Sequence, residues 1–166
     1  MMRFNKNIIF VIIALLVCSC NTNRQIKNIP EMAIEYEHNI EYVKPGAAKW
    51  SYSTILGIIH ILQDSMHPLE YSNAVLKIEK TDKIKISILY APDYYTARYW
   101  TENYIGDTET NEQYFQTIDV NNGIIIVPNE EAGKIFEVTA IWESVNGIKG
   151  IQGYAKYVFY VSNNSS

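Results

Sequence analysis

The chain has 166 residues, a formal net charge of −4 and only two cysteines, Cys18 and Cys20. That length suits one domain with a sizeable core. An acidic balance argues against nucleic-acid binding and against charge-driven adhesion to an anionic bilayer, and two cysteines two residues apart offer no internal disulfide framework.

The N-terminus reads as an export signal. Arg3 and Lys6 precede an unbroken apolar run over residues 8–17. That run is about half the roughly 20 residues a spanning helix needs. It ends in Val17-Cys18-Ser19-Cys20, which resembles the bacterial lipobox, with Cys20 as the lipidated cysteine. The expectation is a lipoprotein signal peptide over 1–19, cut before Cys20, whose thiol carries the acyl chains. Each buried CH₂ contributes about 0.8 kcal/mol to anchoring, and one chain alone holds only marginally. Asn21 rather than Asp follows, so a host with two membranes would send the protein to the outer one. Loss of Arg3 and Lys6 takes the mature charge to about −6.

Residues 20–30 are polar after the cysteine and read as a tether. Residues 31–162 are rich in Ile, Val, Tyr and Thr, which suit pleated strands. Residues 32–43 alternate around Glu37-His38-Asn39 and predict a hairpin, closed by the turn residues Lys44-Pro45-Gly46. Residues 50–62 hold the run Ile55-Leu56-Gly57-Ile58-Ile59; strand or helix remains open there, with Gly57 and the β-branched residues favouring a buried strand. His67-Pro68 breaks the chain.

Further strands are predicted over 74–79, 83–90 and 96–104. In the second, Ile84, Ile86 and Ile88 share a buried face. Tyr94 and Tyr95 are placed in the loop after Pro92-Asp93. Residues 114–120 and 123–127 are read as a hairpin around Asn121-Asn122-Gly123, whose residue types supply positive φ. Residues 128–133 form a corner. Residues 134–143 carry Phe136, Val138, Ala140 and Trp142 on the inward face. After a turn at Asn146-Gly147, residues 154–161 close the domain beside them, near the centre of the core. Residues 163–166 form a disordered tail. Short strands at regular spacing with turns between argue for an antiparallel sandwich or barrel.

Three segments carry a resemblance: Asn122-Gly123-Ile124-Ile125-Ile126-Val127-Pro128, the stretch 133–142 ending in Trp142, and the stretch 153–161 opening Gly153-Tyr154-Ala155. They resemble uncharacterised small lipoproteins of Bacillus-like Gram-positive bacteria, whose C-terminal half is an immunoglobulin-like sandwich. The resemblance implies an immunoglobulin-like antiparallel β-sandwich core over about 71–162, preceded by the hairpin, with Phe136 as the packing aromatic after the corner glycine. Trp50-Ser51-Tyr52 lies where those proteins often carry a Ser-Tyr-Cys-Trp element; the cysteine is missing here, and with it any disulfide. The resemblance implies fold and location and carries no activity.

Candidate chemistry is sparse. His60, Asp64 and His67 would share one face of a helix and could hold zinc with two imidazoles and a carboxylate, and they carry the alternative reading of a metal-dependent or hydrolytic envelope enzyme. The strand preference, Pro68 and the want of a fourth ligand weigh against it. Ser51 and Ser53 near His60 suggest a dyad at most. No nucleophile elbow or phosphate-cradling glycine loop is present. Glu130 and Glu131 read as corner solvation, and the acidic stretch Asp107 to Glu112, with Glu109, lacks the ordered spacing of a calcium loop. The aromatic group Tyr90, Tyr94, Tyr95, Tyr99, Trp100 and Tyr104 reads as part core and part contact surface. Tyr94, Tyr95, Tyr99 and Trp100 are taken as the surface for an envelope protein or glycan. The expectation is a non-enzymatic binding or accessory module without cofactor, on the extracytoplasmic face of the cell membrane.

Overall fold

The computed structural model describes residues 28–54, 56–70, 76–107, 114–143 and 151–163. Within them the chain is all-β. The strands are β1 (Met32–Tyr36), β2 (Asn39–Val43), β3 (Ala48–Thr54), β4 (Gly57–Gln63), β5 (Leu76–Ile78), β6 (Lys83–Ile88), β7 (Tyr94–Thr101), β8 (Gln116–Ile118), β9 (Ile124–Ile126), β10 (Lys134–Trp142) and β11 (Ile151–Val161). They form a four-stranded sheet, β2-β1-β6-β9, and a seven-stranded sheet, β4-β3-β11-β10-β7-β8. In the second, β5 pairs with the C-terminal end of β11 and is the one parallel partner.

Period-two alternation places the core. Met32, Ile34 and Tyr36 of β1 and Ile84, Ile86 and Ile88 of β6 are buried from one sheet. Phe136, Val138, Ala140 and Trp142 of β10 and Ala155, Tyr157, Phe159 and Val161 of β11 are buried from the other, and all join one cluster. Phe136 stacks on Phe159 with centroids 5.2 Å apart and sits 5.6 Å from Tyr99. Trp50 meets Trp142 edge to face at 4.8 Å. The β10–β11 hairpin is central, as its sequence suggests.

Long-range pairing alters several expectations. The β1–β2 hairpin precedes the other strands in sequence, but β1 pairs with β6, so the hairpin is built into a sheet. Residues 50–62 are two strands, not one. Gly57-Ile58-Ile59 of their apolar run fall on β4, where Ile58 and Leu62 are 64% and 79% exposed, because they point to the uncovered outer face of an edge strand. Tyr94 and Tyr95 begin β7 instead of lying in a loop. The strands on either side of Asn121-Asn122 do not pair with each other: β8 joins β7 and β9 joins β6. The turn chemistry is nevertheless as expected. Asn122 and Gly123 have φ of 54° and 74°, and Asn121 and Ile124 exchange backbone hydrogen bonds of 3.0 and 2.9 Å. Gly123 also lies so close to Ile86 that a Cβ would stand 2.6 Å from the Ile86 carbonyl oxygen. The turn therefore carries the chain from one sheet to the other.

The end of the predicted tether is fastened to the core, where the Tyr157 hydroxyl donates to the Pro30 carbonyl at 2.8 Å. The signal segment with Cys20, the Asn146-Gly147 turn, Glu109, Glu112 and residues 164–166 lie outside the described residues.

Candidate functional site on the outer face of the larger sheet

The outer face of the seven-stranded sheet divides into a covered half and an open half. In the covered half, Trp100 and Ile135 lie side by side in register and are buried with Leu69 of the 3-10 turn Pro68–Glu70. Phe115 packs on Trp100 at 6.1 Å and His67 at 5.4 Å. One step along, Glu137 is buried on the face that sequence alternation would leave wet. It accepts from Arg98 Nε at 2.8 Å and from Lys156 Nζ at 3.4 Å. The Arg98 guanidinium also lies over the Trp100 and Phe115 rings, 4.9 and 5.0 Å from their centroids. A buried carboxylate is tolerated only with such partners. Burial, then the Arg98 charge, holds the His67 imidazole below its ordinary value. Its Nδ1 accepts the Leu69 backbone N–H at 3.2 Å. These groups form a packed lid over the sheet.

The open half is a row crossing five strands. The register sets Tyr94 of β7 opposite Ile141 of β10, Ile141 opposite Tyr154 of β11, Tyr154 opposite Lys49 of β3, and Lys49 opposite Leu62 of β4. Paired residues share a face, so these five side chains stand in line, with Tyr94 and Tyr154 about 10 Å apart across two strand spacings. Tyr94 is 44% exposed, and Ile141 and Tyr154 are half-buried. Asp93 braces the end of the row. Its N–H donates to the Ile141 carbonyl at 2.9 Å and its carboxylate accepts the Glu143 N–H at 2.6 Å. Partial desolvation, then the Glu143 carboxylate that accepts from its hydroxyl, raises the Tyr94 phenol above its usual value. Two amphipathic rings around an aliphatic residue, with an ammonium beside them, offer stacking, apolar contact and hydrogen bonding to a flat ligand.

The aromatic expectation is thus corrected in part. Tyr94 is exposed. Tyr95 is half-buried against the core, and Tyr99 and Trp100 are 3% and 1% exposed. Tyr95 and Tyr99 point between the sheets because they share parity with Ala97. Trp100 shares the outward parity of Tyr94 but is roofed by Leu69, His67 and Phe115. Tyr154, Ile141 and Lys49 replace them at the open surface. Sequence carries the parity of each, but only strand pairing aligns them.

The metal candidates do not converge. His60 lies in strand β4 instead of a helix, and among the described residues no group of three His, Cys, Asp or Glu side chains could hold a metal ion. Ser51 and His60 do meet, with Oγ 2.8 Å from Nδ1, as direct cross-strand partners. Among the described residues Ser51 is the one hydrogen-bond partner of this exposed imidazole, so the pair lacks the carboxylate that orients the base in a hydrolytic triad. Glu130 does more than solvate its corner, since its Oε1 lies 2.9 Å from the Tyr99 hydroxyl.

Two phenols bonded to carboxylates, buried Tyr99 and half-buried Tyr160, contribute to an alkaline limit on the fold. Burial, then a carboxylate partner, pushes Tyr99 and Tyr160 each up to about 12; the partners are Glu130 and Glu102. The Tyr160 hydroxyl donates to Glu102 at 2.5 Å. The folded state favours the neutral phenols, so their contribution is complete below pH 10 and is lost as pH rises from about 10 through about 12. Urea melts at pH 9, 11 and 12 are expected to show falling stability over that window, and the Tyr99→Phe/Tyr160→Phe double variant is expected to make the fall shallower, the remainder coming from the buried Tyr157 phenol, which burial also pushes well up. An equally steep fall in the double variant would contradict this.

No protein-family model, curated protein or solved structure matches the chain.

Proposed function

We propose that this chain is an extracytoplasmic lipoprotein, held to the cell membrane by acyl chains on Cys20, whose β-domain is a non-enzymatic binding or accessory module of the cell envelope. The observation that carries the reading is the order of Arg3 and Lys6, the apolar run 8–17 and Val17-Cys18-Ser19-Cys20. From Cys20 to the core contact at Pro30, ten residue steps span at most about 35 Å, so the domain works close to the bilayer. In a host with two membranes, Asn21 directs it to the outer one.

The strand order supports an immunoglobulin-like reading of this sandwich. The order β1-β6-β9 in one sheet and β7-β10-β11 in the other follows the A-B-E and C-F-G order of immunoglobulin domains. The row Tyr94-Ile141-Tyr154 is the contact surface, and an envelope glycan or protein is its partner. The acidic mature charge, about −6, disfavours nucleic acid.

The test follows the full chain in bacterial cells fed labelled palmitate, with envelope partners captured by cross-linking. The parent chain is expected to take up label and sediment with membranes, and Cys20→Ala to lose both. Tyr94→Ala/Tyr154→Ala is expected to keep the label and lose the captured partner. Equal labelling of Cys20→Ala would overturn the anchor. An unchanged partner would overturn the contact surface.

A further inference from the structure

Among the described residues the two sheets end in β2, β9, β4 and β8, and the three-residue β5 forms a further short edge beside β11. Edges expose unpaired backbone groups and are commonly blunted by charge or by shortness. β8 and β9 have three residues each, and β2 carries Glu41. β4 is different. It runs for seven residues, Gly57-Ile58-Ile59-His60-Ile61-Leu62-Gln63, without proline, Lys, Arg, Asp or Glu, and its apolar side chains lie on both faces. Among the described residues no strand pairs with its outer side.

The backbone register defines what that edge offers. A two-residue connection makes Thr54 and Gly57 the closing hydrogen-bonded pair of the β3–β4 hairpin. Hydrogen-bonded pairs then alternate, so Ile59 and Ile61 bond back to β3. The same parity appears on the other side of β3, where Lys156 N–H donates to Ala47. The N–H and C=O groups of Ile58, His60 and Leu62 therefore point away from the sheet.

We propose that β4 is a dimerisation edge, at which two copies of this chain pair antiparallel about a two-fold axis through His60. The occupant is a second copy because the strand is self-complementary about that residue. A two-fold interface needs residue i to meet j while j meets i. Around His60, Ile58 meets Leu62 of the other copy, Ile59 meets Ile61, and Gly57 meets Gln63. Each apolar residue finds an apolar partner and no charge is buried. The outward-pointing residues 58, 60 and 62 fall opposite 62, 60 and 58, which is the hydrogen-bonding register and forms about six backbone bonds. Ile59 and Ile61 lie beside Tyr52 and Trp50, so pairing extends the apolar side of the larger sheet across the axis. This rests on the edge alone and is independent of the anchor.

The test is cross-linking of the full chain in cells with a short bis-maleimide, which bridges the roughly 5 Å between opposed Cβ atoms. His60→Cys is expected to yield a dimer as its main product. The parent chain, with Cys18 and Cys20, and Glu41→Cys on the β2 edge are the controls. Adding Leu62→Pro to His60→Cys removes two cross-copy bonds. It leaves the β3 pairing intact, because the Leu62 N–H faces outward and an edge strand accepts proline there. The dimer is then expected to weaken about tenfold or more at an unchanged chain level. A second route uses Ile58→Cys and Leu62→Cys copies produced together, whose mixed cross-link should exceed that of either alone. A dimer no stronger than the controls, one indifferent to Leu62→Pro, or a product with the mass of a different protein would each overturn the proposal.

Discussion

Gly153→Ala is expected to lower the melting temperature by more than about 10 °C. Gly153 sits in β11 with φ +143°, opposite Trp50 and Trp142. A Cβ built there would stand 1.8 Å from the Lys49 carbonyl oxygen and 3.2 Å from the Trp50 Cα. Both are backbone atoms of a paired strand, so no side chain can swing aside. Relief requires β3 to move off β11, which drags Trp50 from its contact with Trp142. Backbone strain and lost packing together cost roughly 3–5 kcal/mol, against a typical domain stability of about 5–15 kcal/mol. At about 3 °C per kcal/mol this is a large shift. Gly57→Ala is the control. Gly57 has φ +136° and no atom within 4 Å of an added Cβ, so only the backbone conformational cost of about 1–2 kcal/mol applies. Thermal melts of both variants separate the two terms, and equal losses would show that the clash is relieved at little cost.

Phe136→Ala is expected to cost about 3–5 kcal/mol, the range for an emptied aromatic core site. Phe136 is fully buried at the centre of β10 and is held between the rings of Phe159 and Tyr99. Three aromatic rings on three adjacent strands leave little freedom to close the cavity, and the stacking contribution of each neighbour is lost as well. Phe136→Leu keeps most of the volume and should cost less than half as much. Urea unfolding measures both. A loss under about 1.5 kcal/mol for Phe136→Ala would mean that the sheets collapse onto the gap.

Strand existence and facing were legible where alternation was strong. Ile84, Ile86 and Ile88 are buried as their spacing implied, and so are Phe136, Val138, Ala140 and Trp142. Asn122-Gly123 makes the turn its residue types demanded. Glu137 shows where such reading stops. Alternation put it on the wet face, yet it is 5% exposed, because Arg98 and Lys156 reach it from the strands on either side and the Leu69–Trp100–Phe115 layer covers that region.

The candidate site was legible in one residue of four. Tyr94 and Trp100 have the same parity on the same strand and the same chemical class, and nothing local distinguishes them. Trp100 is buried because Leu69 and Phe115, both distant in sequence, fold over it, whereas Tyr94 lies at the other end of β7, beyond that cover. Likewise, Ile58 and Leu62 read as a core strand because they are apolar. They are exposed because they point to the half of the outer face that is left uncovered, on a strand with a neighbour on one side only.

What the sequence determined by itself is the class and the local geometry. β-branched and aromatic residues at period two dictate strands and their inward faces, and Asn and Gly supply the backbone angles of a turn, since these preferences arise within a few residues. Only the tertiary structure decided that β8 and β9 part into different sheets, which half of the outer face is roofed, and which edge is left unpaired. Those outcomes depend on contacts between segments far apart in the chain, and a side chain's own pattern carries no information about what will come to lie over it.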